Sequence, residues 1–288
     1  MSTPVDPSYQ WCGAELDLDA YLARIGYTGD RAPTSATLRA LTYAHTTSIP
    51  FENLEAILGR AIPLDLKTLQ DKMIRRRRGG YCYENVALFA AALERLGFEF
   101  NGLSARVTMG APGLRPATHA ILRVLIDGRA WLCDVGFGAG PLEPIELIAD
   151  RGEFTLGAWR YRLERAENAL GVEEWTLHHF GRDGWIDRHT ASVTPSYRVD
   201  YEVGNHYVST WPRSPFVTRP FVQRFLPEVH HVLDGTTWTT EYPDGTGETR
   251  ELAHTDLPKL LAEVFDIELD AADAAELARG GWSVRPEG

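Results

Sequence analysis

Apolar positions recur at helical spacing through the first hundred residues. Leu16, Leu18, Tyr21, Leu22 and Ile25 form a stripe within residues 15–30 that stops near Gly26. A second helix is predicted after Pro33, capped by Thr34 or Ser35. It carries Leu38, Leu41, Tyr43 and Ala44, and Pro50 ends it. Residues 66–75 read as a third helix with Leu69, Met73 and Ile74 inward, and Gly79-Gly80 then breaks the chain. The fourth covers residues 82–96, where Val86, Phe89, Ala90, Leu93 and Leu96 share one face before Gly97.

Past Gly97 the period shortens. Residues 103–108, 120–126 and 130–135 are β-branched or alternating, and Asp127-Gly128 between the last two is a strong hairpin turn. Further strands are predicted at 157–163, 174–179 and 192–195, with Asp183-Gly184 turning another pair. This middle third reads as a curled antiparallel sheet. The final third is mixed. A helix at 200–209, weakened by Gly204, precedes a meander at 221–226, 229–233, 236–242 and 248–252, turned by Asp234-Gly235 and Asp244-Gly245. Helices follow at 257–265 and 271–279.

A chain of 288 residues exceeds one ordinary core, so two or three domains are expected. Hydrophobic content of 44% and charged content of 24% are ordinary for a globular chain. No run approaches the ~18 consecutive apolar residues of a membrane helix. Residues 1–10 are polar and carry no apolar core of a signal peptide. The expected location is cytoplasmic, with no membrane partner. A formal net charge of −11 argues against a nucleic-acid partner, because neutralising phosphates takes clustered Lys and Arg. Cys12, Cys82 and Cys133 give no disulfide framework, which suits a reducing compartment. Without a CxxC pair or an HExxH motif, no metal site is expected.

The most informative segment is Arg78-Gly79-Gly80-Tyr81-Cys82-Tyr83-Glu84-Asn85. Two glycines permit a tight turn, and Cys82 then falls in the first turn of a helix. There the unpaired N–H groups and the helix dipole favour a thiolate, the reactive form. The same N–H groups can hold an oxyanion during acyl transfer. Taken alone, the segment divides evenly between a nucleophile and a buried small hydrophobe, the usual fate of a free cysteine. A base must come from elsewhere. His119 starts one predicted strand and Asp134 closes the next, and the Asp127-Gly128 hairpin makes those strands neighbours. Ring and carboxylate can then meet as the base and orienter of a triad. A lone histidine is more often structural, and a lone aspartate after a strand is more often a turn cap. The three together favour nucleophilic catalysis.

The order RGGYCYEN, THAILRV, WLCDVGFG resembles the arylamine N-acetyltransferases. Ile49-Pro50-Phe51-Glu52-Asn53-Leu54 upstream matches a further family motif. So do Tyr207-Val208-Ser209-Thr210 and Ser214-Pro215-Phe216 downstream. The resemblance runs in consistent order over residues 15–225, and beyond that it is one of architecture. Ala120, Asn205-His206-Tyr207 and Trp211 depart from the family pattern and bear on acceptor preference.

The resemblance implies an α+β fold with a cysteine-protease-like triad core. A helical bundle (1–98) would carry the nucleophile and an antiparallel β-barrel-like domain (99–199) the histidine and aspartate. An interdomain helix and α/β lid (200–288) would follow. It maps a Cys–His–Asp triad onto Cys82, His119 and Asp134. It implies ping-pong transfer from acetyl-CoA, a co-substrate and not a resident cofactor, to an arylamine, arylhydrazine or N-hydroxyarylamine. Phe137, beside Asp134, is the leading candidate for an aromatic wall, and the family adds Tyr83 and Phe216. Gly136 and Gly138 would let a CoA tail approach the backbone, and Arg213 and Arg219, near the lid hinge, would meet its phosphates. The Arg75–Arg78 run reads as a solvated helix end, except that Arg78 is expected to pair with Glu52 and pin the Cys82 loop. Either a monomer or a homodimer is compatible. Papain-like proteases and transglutaminases share such a triad, so a cysteine hydrolase is the alternative, and a non-catalytic ligand-binding protein comes next.

Overall fold

In the computed structural model, which describes residues 9–149 and 151–282, the N-terminal third is helical. The outermost parts of the expected first and last segments, residues 1–8 and 283–288, lie outside the described residues. Helix α1 (Leu18–Arg24) is shorter than its apolar stripe, because Asp17 caps it by accepting from the Ala20 N–H at 3.0 Å. Helix α2 (Ser35–Ser48) starts at Thr34, whose hydroxyl accepts from the Thr37 N–H. A two-residue strand β1 (Phe51–Glu52) and a short α3 (Leu54–Ile57) follow. Helix α4 (Leu66–Leu69) runs on as a π-helical turn over Gln70–Arg75. Helix α5 (Cys82–Arg95) then crosses the centre of the molecule. Every residue from Cys82 to Leu93 is buried, so this helix is enclosed all round and not on one face. The small Ala90-Ala91-Ala92 run lets neighbouring backbone approach. A Cβ on Gly13 would stand 2.8 Å from the Ala91 carbonyl oxygen.

The middle third is one antiparallel sheet of eight strands. They are β2 (Glu99–Val107), β3 (Ala117–Ile126), β4 (Arg129–Cys133), β5 (Ile145–Glu146), β6 (Glu153–Leu156), β7 (Trp159–Glu167), β8 (Glu173–Gly181) and β9 (Gly184–Ser192). Their order is β5-β4-β3-β2-β9-β8-β7-β6, a curled half-barrel around Leu103, Ile121, Leu132, Trp159, Tyr161 and Trp175. The strand expected at 192–195 is corrected here. Only Ser192 belongs to a strand, and β9 occupies the residues before it. Its alternation is hidden by a β-bulge: His189 pairs with Leu177 and Asp187 with His178, leaving Arg188 as the extra residue. Arg188 and His189 are therefore both buried, although neighbours on a strand normally face opposite ways.

Helix α6 (Arg198–Thr210) ties this sheet to α5. The Tyr201 hydroxyl bonds the Leu103 and Ile121 carbonyls at 2.9 and 2.8 Å. Gly204, a poor helix former, is needed for packing, since a Cβ there would lie 2.1 Å from the Tyr83 hydroxyl. A short α7 (Pro215–Thr218) leads into β10 (Phe221–Phe225), β11 (His230–Asp234), β12 (Thr237–Glu241) and β13 (Gly247–Glu251). Helices α8 (Leu257–Phe265) and α9 (Ala271–Arg279) close the chain, packing Leu261, Phe265 and Leu277 around Val222 and Leu233. The second sheet has the order β1-β10-β11-β12-β13, so Phe51–Glu52, sought in the helical bundle, is a strand of the C-terminal layer. Two residues are too few for alternation to reveal them. No helix among the described residues is long and apolar enough to cross a membrane.

Candidate active site

The loop before α5 is fixed from three sides. It bridges to β1, with the Glu52 N–H donating to the Gly80 carbonyl at 3.1 Å and the Gly80 N–H to the Pro50 carbonyl at 3.2 Å. Beneath it lies a buried charge network. The Arg78 Nη2 stands 2.9 Å from Glu52 Oε1, and Lys72 Nζ 2.7 Å from Glu84 Oε1. Burial disfavours the Glu52 carboxylate, yet the charges of Arg78 and Lys72 hold its pKa below the ordinary value. Glu84 Oε2 accepts from the Tyr81 N–H at 3.1 Å, capping α5 directly ahead of Cys82. On the third side Asn85 donates to the Gly80 carbonyl at 2.5 Å. Its Oδ1 lies 3.0 Å from His45 Nε2, and His45 Nδ1 meets the Tyr21 hydroxyl at 2.9 Å. Burial pushes the His45 pKa down to about 4, so this ring is a neutral link.

Cys82 is buried, its Sγ 3.8 Å from the Thr118 carbonyl. His119 follows Thr118 on β3, and its Nε2 is 2.9 Å from Asp134 Oδ2, immediately past β4. The remaining nitrogen, Nδ1, is the one left for Cys82. Burial opposes charge on His119, but the Asp134 charge and hydrogen bonds to Asp134 and Cys82 outweigh it and raise its pKa to about 10. Burial likewise opposes ionisation of Asp134, and the charge and hydrogen bond of His119, with the hydrogen bond of His189, hold it well below the usual carboxylate range. The imidazolium and carboxylate are the resting forms at neutral pH.

His189 escaped the sequence reading. Its Nε2 stands 3.0 Å from the same Asp134 Oδ2. Burial lowers its pKa, so the ring is neutral and donates from Nε2. The bulge at Arg188 turns it inward, and no periodicity in the sequence announces that. The ligand-type atoms of His119, Asp134 and His189 lie within 4.8 Å of one another, and hydrogen bonding to one carboxylate accounts for their approach.

The other expected contacts divide. Phe137 sets its ring edge-on to His119, centroids 5.1 Å apart, and is half-buried. Tyr83 is buried, its ring engaged with Tyr81 and Tyr201. Phe216 stacks on Tyr81 and tilts against Phe51. Gly136 and Gly138 face protein: a Cβ on Gly136 would stand 2.8 Å from the Cys82 Cα, and one on Gly138 2.8 Å from the Phe51 Cβ. Arg219 is paired with Asp234, and Arg213 lies over the Trp211 ring at 5.2 Å.

A cysteine at a helix start, backed by an imidazolium and a carboxylate, defines a class: enzymes that carry an acyl group on a thiol. The N-acetyltransferase family model matches residues 34–274. The chain is 38% identical to the arylamine N-acetyltransferase of Mycolicibacterium smegmatis, over 88% of this chain and 93% of that protein. To the Escherichia coli K12 enzyme it is 32% identical, over 94% and 98%. The crystal structure of Nocardia farcinica arylamine N-acetyltransferase superposes with a TM-score of 0.95 at 64% identity, covering 97% of this chain and 99% of that one. The Mycobacterium marinum enzyme in complex with CoA gives 0.81 at 32% identity, over 91% and 99%. The chain belongs to the arylamine N-acetyltransferase family, and its activity is acetyl transfer.

Proposed function

We propose that acetyl-CoA donates its acetyl group to Cys82 and that an aromatic amine or hydrazine collects it in a second step. The observation that carries this reading is the His119–Asp134 pair beside Cys82 at the start of α5. In the first half-reaction the Cys82 thiolate attacks the thioester carbonyl. The oxyanion is held by N–H groups of the first turn of α5. The tetrahedral intermediate collapses and breaks the carbon–sulfur bond to CoA, whose thiolate takes the proton from His119. In the second, the amine nitrogen attacks acetyl-Cys82, and neutral His119 takes the nitrogen's proton as the Cys82 thiolate leaves. Asp134 holds the ring throughout, with His189 as its second donor. Phe137 offers the face against which an aromatic acceptor lies. The M. marinum complex with CoA supports acetyl-CoA as the donor. We place the enzyme in the cytoplasm, where free thiols persist.

Intact-protein mass tests this directly. Incubation with acetyl-CoA alone should add one acetyl group, and an aromatic amine should remove it. Cys82→Ser should show neither event while keeping a native melting transition. Labelling of the serine variant at the wild-type rate would sink the assignment, and turnover of a peptide amide without acetyl-CoA labelling would favour the hydrolase reading.

A further inference from the structure

The turn that carries Phe137 is fastened at two points, one on the triad and one on the C-terminal sheet. On the triad side Asp134 Oδ1 accepts from the Gly136 N–H at 3.1 Å. On the other side the Phe137 carbonyl accepts from the side-chain amide of Gln223, whose Nε2 is 3.2 Å away. Gln223 is a buried residue of β10, in the sheet that holds none of the triad. The turn sits close on this amide. Gly138 has a φ of +84°, and a Cβ there would stand 2.5 Å from Gln223 Nε2. A glycine is needed at that position both for the backbone angle and for the approach.

A primary amide donates from one end and accepts at the other, so its orientation decides whether it can serve a carbonyl. His230 sets that orientation. It is buried on β11, with Nε2 3.0 Å from Gln223 Oε1. For the amide to donate to Phe137, its oxygen must face His230, and His230 Nε2 must carry a hydrogen. The other ring nitrogen, Nδ1, lies 3.4 Å from Glu241 Oε2 on β12. The Glu241 side chain is 30% exposed, so water can answer its carboxylate. A ring with hydrogen on Nε2, alone or on both nitrogens, completes the chain from His230 through Gln223 to Phe137. A hydrogen on Nδ1 alone would turn the amide round and set its oxygen against the Phe137 carbonyl. The end of this chain matters to the chemistry because the Phe137 ring stands edge-on to His119, centroids 5.1 Å apart. Where that ring rests fixes where a flat acceptor can lie relative to the base, and small displacements of a reacting pair are costly.

We propose that Gln223, oriented by His230, is a positioning residue of the acceptor half-reaction. It holds the Phe137 carbonyl, and through it the face that aligns an aromatic amine with acetyl-Cys82 and His119. This rests on the reading of Phe137 as the acceptor's face.

Full-length enzyme carrying acetyl-Cys82 is freed of CoA, and single turnovers are followed with 4-methoxyaniline and with hydrazine, a nucleophile that has no ring to rest on Phe137. Gln223→Met keeps the volume and loses both hydrogen bonds. It should lower the aniline-to-hydrazine ratio of second-order rate constants about tenfold, with the loss in the half-saturating aniline concentration more than in the maximal rate. His230→Leu should lose part of the ratio, and His230→Gln, whose amide can again donate to Gln223, should regain it. Should Gln223→Met fail to fold, this His230 pair decides alone. An equal fall with both nucleophiles, or an unchanged ratio, makes the chain a structural tie and overturns the proposal.

A second arm needs no acetyl transfer. The chain has two Phe–Gly pairs, Phe137-Gly138 and Phe180-Gly181. Protein labelled with carbon-13 at phenylalanine carbonyls and nitrogen-15 at glycine therefore gives two carbonyl–nitrogen correlations. Gln223→Met should move the Phe137 carbonyl upfield and leave that of Phe180 in place, and an unmoved Phe137 signal overturns the proposal. If acetyl-Cys82 never forms, the route through Cys82 alone falls. The shifted carbonyl, with a calorimetric Kd for 4-methoxyaniline weakened about tenfold in Gln223→Met, then still supports the positioning role, and an unchanged Kd refutes it.

Discussion

Asp134 carries two imidazoles on a single oxygen. Oδ2 meets both rings, and Oδ1 accepts from the Gly136 N–H at 3.1 Å. A carboxylate so supplied with donors stays ionised and keeps His119 protonated. The sign of the pH dependence follows. The His119 pKa rises from 6.5 to about 10, so the contribution of His119 to folding is complete below 6.5 and is lost as pH climbs through 10, while that of Asp134, whose pKa is lowered from 3.8, is lost in acid. Acetyl-enzyme formation should persist through neutral pH and decline only on that alkaline limb. Asp134→Asn should move the limb down toward the ordinary histidine range and slow labelling roughly a hundred- to ten-thousand-fold. Stopped-flow labelling against pH reads both, and a limb already near 6.5 in wild type would contradict the charge assignment. His189→Leu removes one donor, with an expected loss of about tenfold in labelling rate, whereas His189→Gln can still donate and should recover most of it. Equal losses in the two variants would make His189 a packing residue only. Cys133, next to Asp134, is held as a neutral thiol. Burial pushes its pKa up to about 12, and it rests against the Thr42 hydroxyl at 3.2 Å.

Elements marked by punctuation were legible in the sequence. Thr34, Gly97, Asp127-Gly128 and the final two helices fall where the capping and turn residues indicate. Cys82, His119 and Asp134 could be singled out for the same reason, since each sits near a boundary those residues announce. What escaped is what departs from simple periods. The π-helical turn at Gln70–Arg75 follows no 3.6-residue stripe, the bulge at Arg188 breaks alternation within β9, and β1 is shorter than any pattern. The π turn is held by a residue outside it. Buried Arg24 donates to the carbonyls of Met73 at 2.9 Å, Ser48 at 2.8 Å and Arg77 at 3.3 Å, joining α1 to two other segments. Arg24→Met leaves those carbonyls unanswered and should cost roughly 3 kcal/mol of stability. A urea midpoint within error of wild type would show that water replaces the guanidinium freely.

The net charge is −11, and the interior holds both signs, Arg24, Lys72, Arg78 and Arg188 with Glu52, Glu55, Glu84, Asp134 and Asp273. Exposed pairs such as Arg31–Asp19 contribute little. The Glu52–Arg78 pair differs because it joins β1 to the loop ahead of Cys82, and so joins the C-terminal sheet to the start of α5. Arg78→Ala leaves the buried Glu52 carboxylate with only Lys72, at 3.7 Å, and the Leu54 N–H, and should cost about 3–5 kcal/mol in urea unfolding. The acetyl-CoA concentration for half-labelling should stay the same in the folded fraction, and a weakened half-labelling concentration at full stability would instead make Arg78 a CoA contact.

Pairing of β1 with β10 also imposes an order on biosynthesis. Cys82, His119 and Asp134 are all synthesised well before Phe221, yet the strand that braces the cysteine loop finds its neighbour only once β10 has been made. A chain ending before β10 therefore holds Cys82, His119 and Asp134 and lacks the strand partner of β1. The cysteine loop thus takes its last support only after most of the chain has been made.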